Sequence, residues 1–120
     1  MQQIKGLLIT RGRQNSHLTS EIVTLDNSLH GIYKAMNVDC IEVPVVGNGW
    51  QMIVDEEGKI KGKWLPTMSG ENFGLRDTLW GPILFLGLTD DGDCCSITEE
   101  QQEEILSLAH PNSKTWVFRF

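Results

Sequence analysis

The stretch from Trp80 to Thr98, WGPILFLGLTDDGDCCSIT, constrains the fold more than any other part of the chain. Between Pro82 and Leu88 every residue except Gly87 is apolar or proline, the pattern of a strand buried on both faces within a sheet. Such a strand needs a neighbour on each side and a covering layer above and below. The run meets Thr89-Asp90-Asp91-Gly92-Asp93, where Asp91-Gly92 suits the positive φ angles of a tight hairpin, and Cys94 to Ile97 returns beside it. Thr98 ends that strand and opens a helix. In Thr98-Glu99-Glu100-Gln101 the threonine hydroxyl can accept from the Gln101 amide while the Gln101 side chain reaches back, which is a capping box. Glu99, Glu100, Glu103 and Glu104 follow in the first two turns, the earlier ones at the positive end of the helix dipole.

Upstream, Ile4 to Ile9 reads as a strand, Arg11 to Ser16 as a polar turn region, and Glu21 to Leu25 as a second strand completing a hairpin. Asp26 is placed to cap a helix whose Leu29, Ile32, Tyr33 and Met36 share one stripe, although Gly31 weakens it. His30 lies beside that stripe and reads as a boundary or surface residue. Val38 to Val46 and Trp50 to Asp55 flank Asn48-Gly49, which predicts a hairpin with a type I′ turn. Trp50, Met52 and Val54 share one apolar face, and Pro44 argues for an edge or a bulge. Glu56-Glu57-Gly58 supplies a turn, after which Lys59 to Trp64 continues the meander with Lys59, Lys61 and Lys63 on one solvated edge.

Leu65 to Trp80, LPTMSGENFGLRDTLW, is the least regular part. Long connections of this kind often carry function, so it reads either as a binding loop or as an irregular connection that tucks Phe73, Leu75 and Leu79 into the core. Ile105, Leu106, Leu108 and Ala109 form the buried side of the last helix, which Pro111 ends. Trp116, Phe118 and Phe120 then alternate as the aromatic face of a C-terminal strand. The predicted fold is a single α+β domain over residues 1–120, a mainly antiparallel sheet of hairpins and meander with two helices packed on it. An oligomer is one way to cover the second face of the Pro82 to Leu88 strand; the long segment and the C-terminal strand are others.

Composition narrows the function. A net charge of −6 disfavours direct nucleic-acid binding, since neutralising phosphates takes clustered Lys and Arg and the ten basic residues here are scattered. Cys40, Cys94 and Cys95 are odd in number and lack metal-type spacing, which argues against a disulfide framework or zinc site and for a reducing compartment. As strand neighbours, Cys94 and Cys95 point to opposite faces, one into the core and one partly outward. No apolar run approaches the ~20 residues of a membrane span, and no secretory signal begins the chain, so the expected location is the cytoplasm with no membrane partner.

Catalytic patterns are absent from the sequence: it holds no GxGxxG, Walker loop, HExxH or GxSxG, and His17, His30 and His110 are far apart. Arg76 and Asp77 with His17 or Cys95 come nearest to a spatial site. Asp90, Asp91 and Asp93 match a calcium loop only weakly, lacking its spacing and terminal Glu. No catalytic residue, metal or cofactor is therefore expected. Tryptophan and arginine supply most binding hot spots, which makes Trp64, Arg76, Asp77 and Trp80 the candidate ligand or partner contacts.

The order of these elements carries a resemblance. An early strand pair and an Asp-capped helix precede Ile41-Glu42-Val43-Pro44 and the Asp55-Glu56-Glu57-Gly58 turn. Gly81-Pro82-Ile83-Leu84-Phe85-Leu86 and Ser96-Ile97-Thr98-Glu99-Glu100-Gln101 follow. From roughly Ile4 to Leu108 the chain resembles the phage and plasmid proteins of the family called domain of unknown function 3846. Members usually carry an Asn early in the segment after the acidic turn, where this chain has Leu65-Pro66-Thr67-Met68. The resemblance implies a mobile-element origin and action inside a bacterial cell, without naming a catalytic residue. The first functional expectation is a non-catalytic binder that occupies a host protein, such as a defence or metabolic enzyme. The alternative is a binder or enzyme for a small nucleotide, with the long segment as a lid and Trp64 or Trp80 stacking a base. A third reading, duplex-DNA mimicry, would need carboxylates in a regular stripe.

Overall fold

Two long N-terminal strands frame the sheet. The computed structural model describes residues 2–11, 18–58, 66–109 and 117–119, the last three as backbone only. Strand β1 (Gln3–Arg11) pairs antiparallel with β2 (Leu18–Asp26) along its whole length, from Gln3 opposite Asp26 to Arg11 opposite Leu18. Both strands outrun the sequence expectation because every β-like residue finds a partner across the ladder. The turn between them lies outside the described residues except for Arg11, as do His17, Trp64, His110, Pro111, Trp116, Phe120 and the Lys59 to Trp64 continuation.

The apolar run becomes β7 (Ile83–Leu88), which lies between β1 and β4 (Trp50–Asp55) in the strand order β3-β4-β7-β1-β2-β9. Here β3 is Ile41–Val46 and β9 is Val117–Arg119. Both faces of β7 are buried. Ile83 and Phe85 join a cluster with Leu7, Ile9, Met52 and Ile105, while Leu84 and Leu86 join one with Ile4, Leu8, Ile32 and Met36. Helix α1 (Leu29–Met36) therefore covers one face and α2 (Glu99–Ala109) the other. Of the three covers considered, the long segment contributes, packing Met68 and Leu79 beside α2 on the Ile83 and Phe85 face, while α1 covers the Leu84 and Leu86 face. The C-terminal strand instead extends the sheet edge, pairing parallel with β2 in an otherwise antiparallel sheet.

The cap of α1 is Ser28 rather than Asp26. The β1-β2 ladder holds Asp26 opposite Gln3 and continues as the Asn27 N–H donates to the Gln2 carbonyl at 2.9 Å, so the helix cannot start before Ser28. Ser28 Oγ accepts from the Gly31 N–H at 3.0 Å. Gly31 has a packing reason: a Cβ there would sit 2.1 Å from the Asp26 carbonyl oxygen. Ile32 and Met36 face the sheet and Tyr33 is half-buried, but Leu29, in the first turn, is 56% exposed. His30 is exposed, in keeping with a surface role.

The β3-β4 hairpin forms with a different turn. Gly49 has φ 76° whereas Asn48 does not adopt a positive φ, which excludes type I′. Tertiary bonds set this geometry: the Gly49 carbonyl accepts from the Leu88 N–H and from Gln101 Nε2, each at 2.9 Å. Pro44 sits where the sequence placed it, on an edge strand whose register shifts between Glu42 and Val45. All six residues of β4 are buried, so its second face is as enclosed as its first. Strand β8 (Cys94–Cys95) returns beside β7, and of the intervening turn residues only Gly92 takes a positive φ, 89°. Cys94 and Cys95 are both half-buried, instead of one core and one partly outward thiol.

The capping box of α2 is complete: Thr98 Oγ1 accepts from the Gln101 N–H, and Gln101 Oε1 accepts from the Thr98 N–H, both at 3.1 Å. Ile105 and Ala109 are buried, while Leu106 and Leu108 flank that stripe, half-buried and 37% exposed respectively. The expected irregular segment is a small hairpin of its own. Strand β5 (Pro66–Ser69), a 3₁₀ turn (Glu71–Phe73) and β6 (Thr78–Trp80) form a second, two-stranded sheet. Met68 and Leu79 enter the core, and Phe73 packs edge-on to Trp50 at 6.2 Å between ring centres and tilted to Phe85 at 5.7 Å. Thr67 is buried and its hydroxyl bonds the Gly81 carbonyl, locking the base of this hairpin to the start of β7. The long segment thus closes the core, as the second of its two readings required.

Candidate functional site

The same small hairpin makes one wall of a cleft at the β3 edge of the sheet. The opposite wall comes from β3 through Glu42 and Pro44, and from the end of β4 with its turn through Val54, Asp55, Glu56 and Gly58. The turn is held from within: Asp55 Oδ1 accepts from the Glu57 N–H at 3.0 Å, and the Gly58 N–H donates to the Asp55 carbonyl at 3.1 Å. Gly58 lets the hairpin approach, since a Cβ there would lie 2.9 Å from the Trp80 carbonyl oxygen. On the hairpin side, the Gly70 N–H donates to the Asp77 carbonyl and the Leu75 N–H to the Gly70 carbonyl, both at 3.0 Å. These bonds fix the backbone from which Leu75, Arg76, Asp77, Thr78, Leu79 and Trp80 line the cavity, whose volume is about 320 Å³.

Three of the four residues singled out from the sequence therefore meet at one place. Arg76 and Asp77 are exposed at the cleft and Trp80 is half-buried in its wall; Trp64 lies outside the described residues. Cys95 does not line the cleft, so among the described residues no thiol or imidazole joins Arg76 and Asp77 there. Sequence reasoning missed Glu42, Pro44, Asp55 and Glu56 as site residues. It read the acidic pair as turn chemistry and the proline as an edge marker, and both readings hold. No local signal joins these positions to Arg76, because a fold of the chain brings them together.

Among the described residues, Glu42, Asp55, Glu56 and Asp77 line the cleft together with Arg76. Pro44, Val54, Leu75 and Leu79 supply apolar surface between them. A lining that mixes charged and apolar residues suits a ligand or partner surface with both polar groups and an apolar body. A second cavity, about 450 Å³, opens between the sheet and the start of α2, lined by Lys5, Ile22, Thr24, Ile97, Glu99 and Gln102, with no aromatic wall. Among the described residues no cluster of three or more His, Cys, Asp or Glu side chains is arranged to hold a metal. No helix among them is long and apolar enough to cross a membrane. Cys94 lies away from both cavities; burial pushes its thiol up from the ordinary value of 9.0, against the hydrogen bond from Gln51 Nε2 at 3.3 Å.

Fold and cleft together define an α+β domain that carries an acidic, aromatic-walled cleft at one sheet edge. The family model described as domain of unknown function (DUF3846) matches residues 4–110, and the chain belongs to that family. The match runs from β1 to the end of α2 and stops short of β9. No curated protein and no solved structure matches the chain.

Proposed function

We propose that this protein is a non-catalytic binder, an accessory of a phage or other mobile element that occupies a host protein in the bacterial cytoplasm and so blunts host defence. The observation that carries the reading is the meeting of Arg76, Asp77 and Trp80 around one cleft beside an edge strand. Arginine and tryptophan anchor protein interfaces far more often than their abundance predicts. Val43 and Val46, 43% and 61% exposed on the same edge strand, extend the surface with apolar area.

The choice of a protein over a small nucleotide follows from charge. Among the described residues that line the cleft four are acidic and Arg76 is basic, a balance that disfavours a nucleotide's phosphates. The cavity is also at the small end of ligand sites, which span about 300–1,000 Å³.

Affinity capture from lysate of the carrying strain tests the proposal. Wild-type protein should retain one host protein in near-stoichiometric amount, and Arg76→Ala and Trp80→Ala should each release it. Equal retention by the variants would remove the cleft from the interface, and stabilisation of the pure protein by a nucleotide in a thermal-shift screen would favour the small-molecule reading.

A further inference from the structure

We infer that Asn48-Gly49 is a site of spontaneous covalent modification, where deamidation to isoaspartate loosens α2 from the sheet. The inference goes beyond the binding function proposed above, and neither residue lines either cavity. Asparagine is a thermolabile residue, most of all before glycine, which has no side chain to shield its backbone nitrogen, and the chain holds a single Asn-Gly pair. Folding leaves that pair open. Asn48 is exposed, and among the described residues its side chain makes no hydrogen bond and the Gly49 N–H donates to no acceptor.

The other described asparagines are followed by an amide that is already engaged. The Ser28 N–H after Asn27 donates to the Asp26 carbonyl at 2.8 Å, the Val38 N–H after Asn37 to the Tyr33 carbonyl at 3.1 Å, and the Phe73 N–H after Asn72 to the Gly70 carbonyl at 3.0 Å. Asn27 and Asn72 also commit their side-chain amides, to the Cys94 and Ala109 carbonyls. Asp91-Gly92, whose carboxyl can close the same ring, has its Gly92 N–H bonded to the Thr89 carbonyl at 3.0 Å. The fold meanwhile keeps glycine at 49, since φ there is 76° and a Cβ would lie 2.9 Å from Gln101 Nε2.

The chemistry needs only water. The Gly49 backbone nitrogen attacks Asn48 Cγ; the new N–Cγ bond closes a succinimide ring, the Cγ–Nδ2 bond breaks, and ammonia leaves with the proton from the Gly49 nitrogen. Water then opens the ring. Cleavage at Cγ gives aspartate, while cleavage at the backbone carbonyl gives isoaspartate, in which the main chain runs through Cβ and is longer by one methylene. Either product adds a negative charge, but only isoaspartate shifts Gly49. That shift matters because the Gly49 carbonyl accepts from the Leu88 N–H and from Gln101 Nε2, joining β7 and α2 at one turn.

Full-length protein held in neutral buffer at physiological temperature, then mapped by peptide mass and fragmentation, tests this. Asn48 should be converted ahead of Asn27, Asn37 and Asn72, and the product should accept methyl groups from an isoaspartate-specific carboxyl methyltransferase. Converted protein should melt at a lower temperature than fresh protein and exchange the Leu88 amide severalfold faster. Asn48→Ser protein held for the same time should keep its melting temperature. Fresh Asn48→Asp should match fresh wild type, since it carries the charge without the longer backbone. Intact Asn48 after the incubation, equal conversion of Asn27, Asn37 or Asn72, or unchanged Leu88 exchange in the converted protein would each overturn the inference. So would an equal fall in melting temperature for the held Asn48→Ser protein, or a fall in fresh Asn48→Asp as large as that of converted wild type.

Discussion

Trp50 shows how much one side chain decides here. It is 2% exposed, its ring centre lies 5.6 Å from that of Phe85, and its indole N–H donates to Glu104 Oε2 at 2.9 Å. Trp50→Phe keeps most of the packing and loses the bond, which should cost about 1–2 kcal/mol, whereas Trp50→Ala should cost about 3–5 kcal/mol; urea unfolding separates the two. Gly31 inverts a propensity rule. Alanine in a helix ordinarily gains about 1 kcal/mol over glycine, but Gly31→Ala would drive a Cβ into the Asp26 carbonyl and should destabilise the protein in the same assay. Cys94 gives a pH signature. Because burial raises its folded value, the stability it contributes is fully present below the unfolded thiol value and is lost as pH rises through the folded one. Alkaline melting curves of wild type should therefore drop more steeply past 9.0 than those of Cys94→Ala.

At the scale of elements, α2 is held to the sheet by more than its apolar stripe. Gln101 serves twice, closing the capping box through Oε1 and reaching the Gly49 carbonyl through Nε2. Thr98→Ala removes one cap acceptor and should cost about 1 kcal/mol. Gln101→Ala should cost more, since it also releases the turn of the β3-β4 hairpin, and faster amide exchange at Leu88 would report that release because its N–H shares the Gly49 carbonyl. The β5-β6 hairpin is the element least visible beforehand. Its strands are only four and three residues long, and with two glycines among them and the 3₁₀ turn it shows no run long enough for an alternation test.

Across the whole molecule, one sheet has a helix on each face, and among the described residues β3 is its edge strand, beside the cleft. Floor and rim of that cleft should respond differently to substitution. Leu79→Ala empties a buried site shared with the core and should cost about 2–5 kcal/mol, while Arg76→Ala, at an exposed position, should stay within about 0.5 kcal/mol of wild type and still weaken partner binding. Denaturation of both variants beside a capture assay checks this split. An Arg76→Ala protein that is stable and binds normally would take Arg76 out of the interface.

Sequence alone determined the features whose cause is local. The double-sided burial of β7, the Thr98-Gln101 capping box, the Asn48-Gly49 hairpin position and the edge placement of Pro44 each follow from a few consecutive residues whose sterics or hydrogen-bonding groups act on their neighbours. Tertiary structure decided whatever depends on residues distant in the chain. It moved the cap of α1 to Ser28 because the β1-β2 ladder claims Asp26, and it reset the Gly49 turn through bonds from Leu88 and Gln101. Arg76, Asp77 and Trp80 were legible as a group because one segment carries them, but the residues that line the other wall of the cleft were not. Glu42, Asp55 and Glu56 belong to that cleft only because β3 and β4 pair at the sheet edge beside the small hairpin, a contact with no counterpart in local sequence.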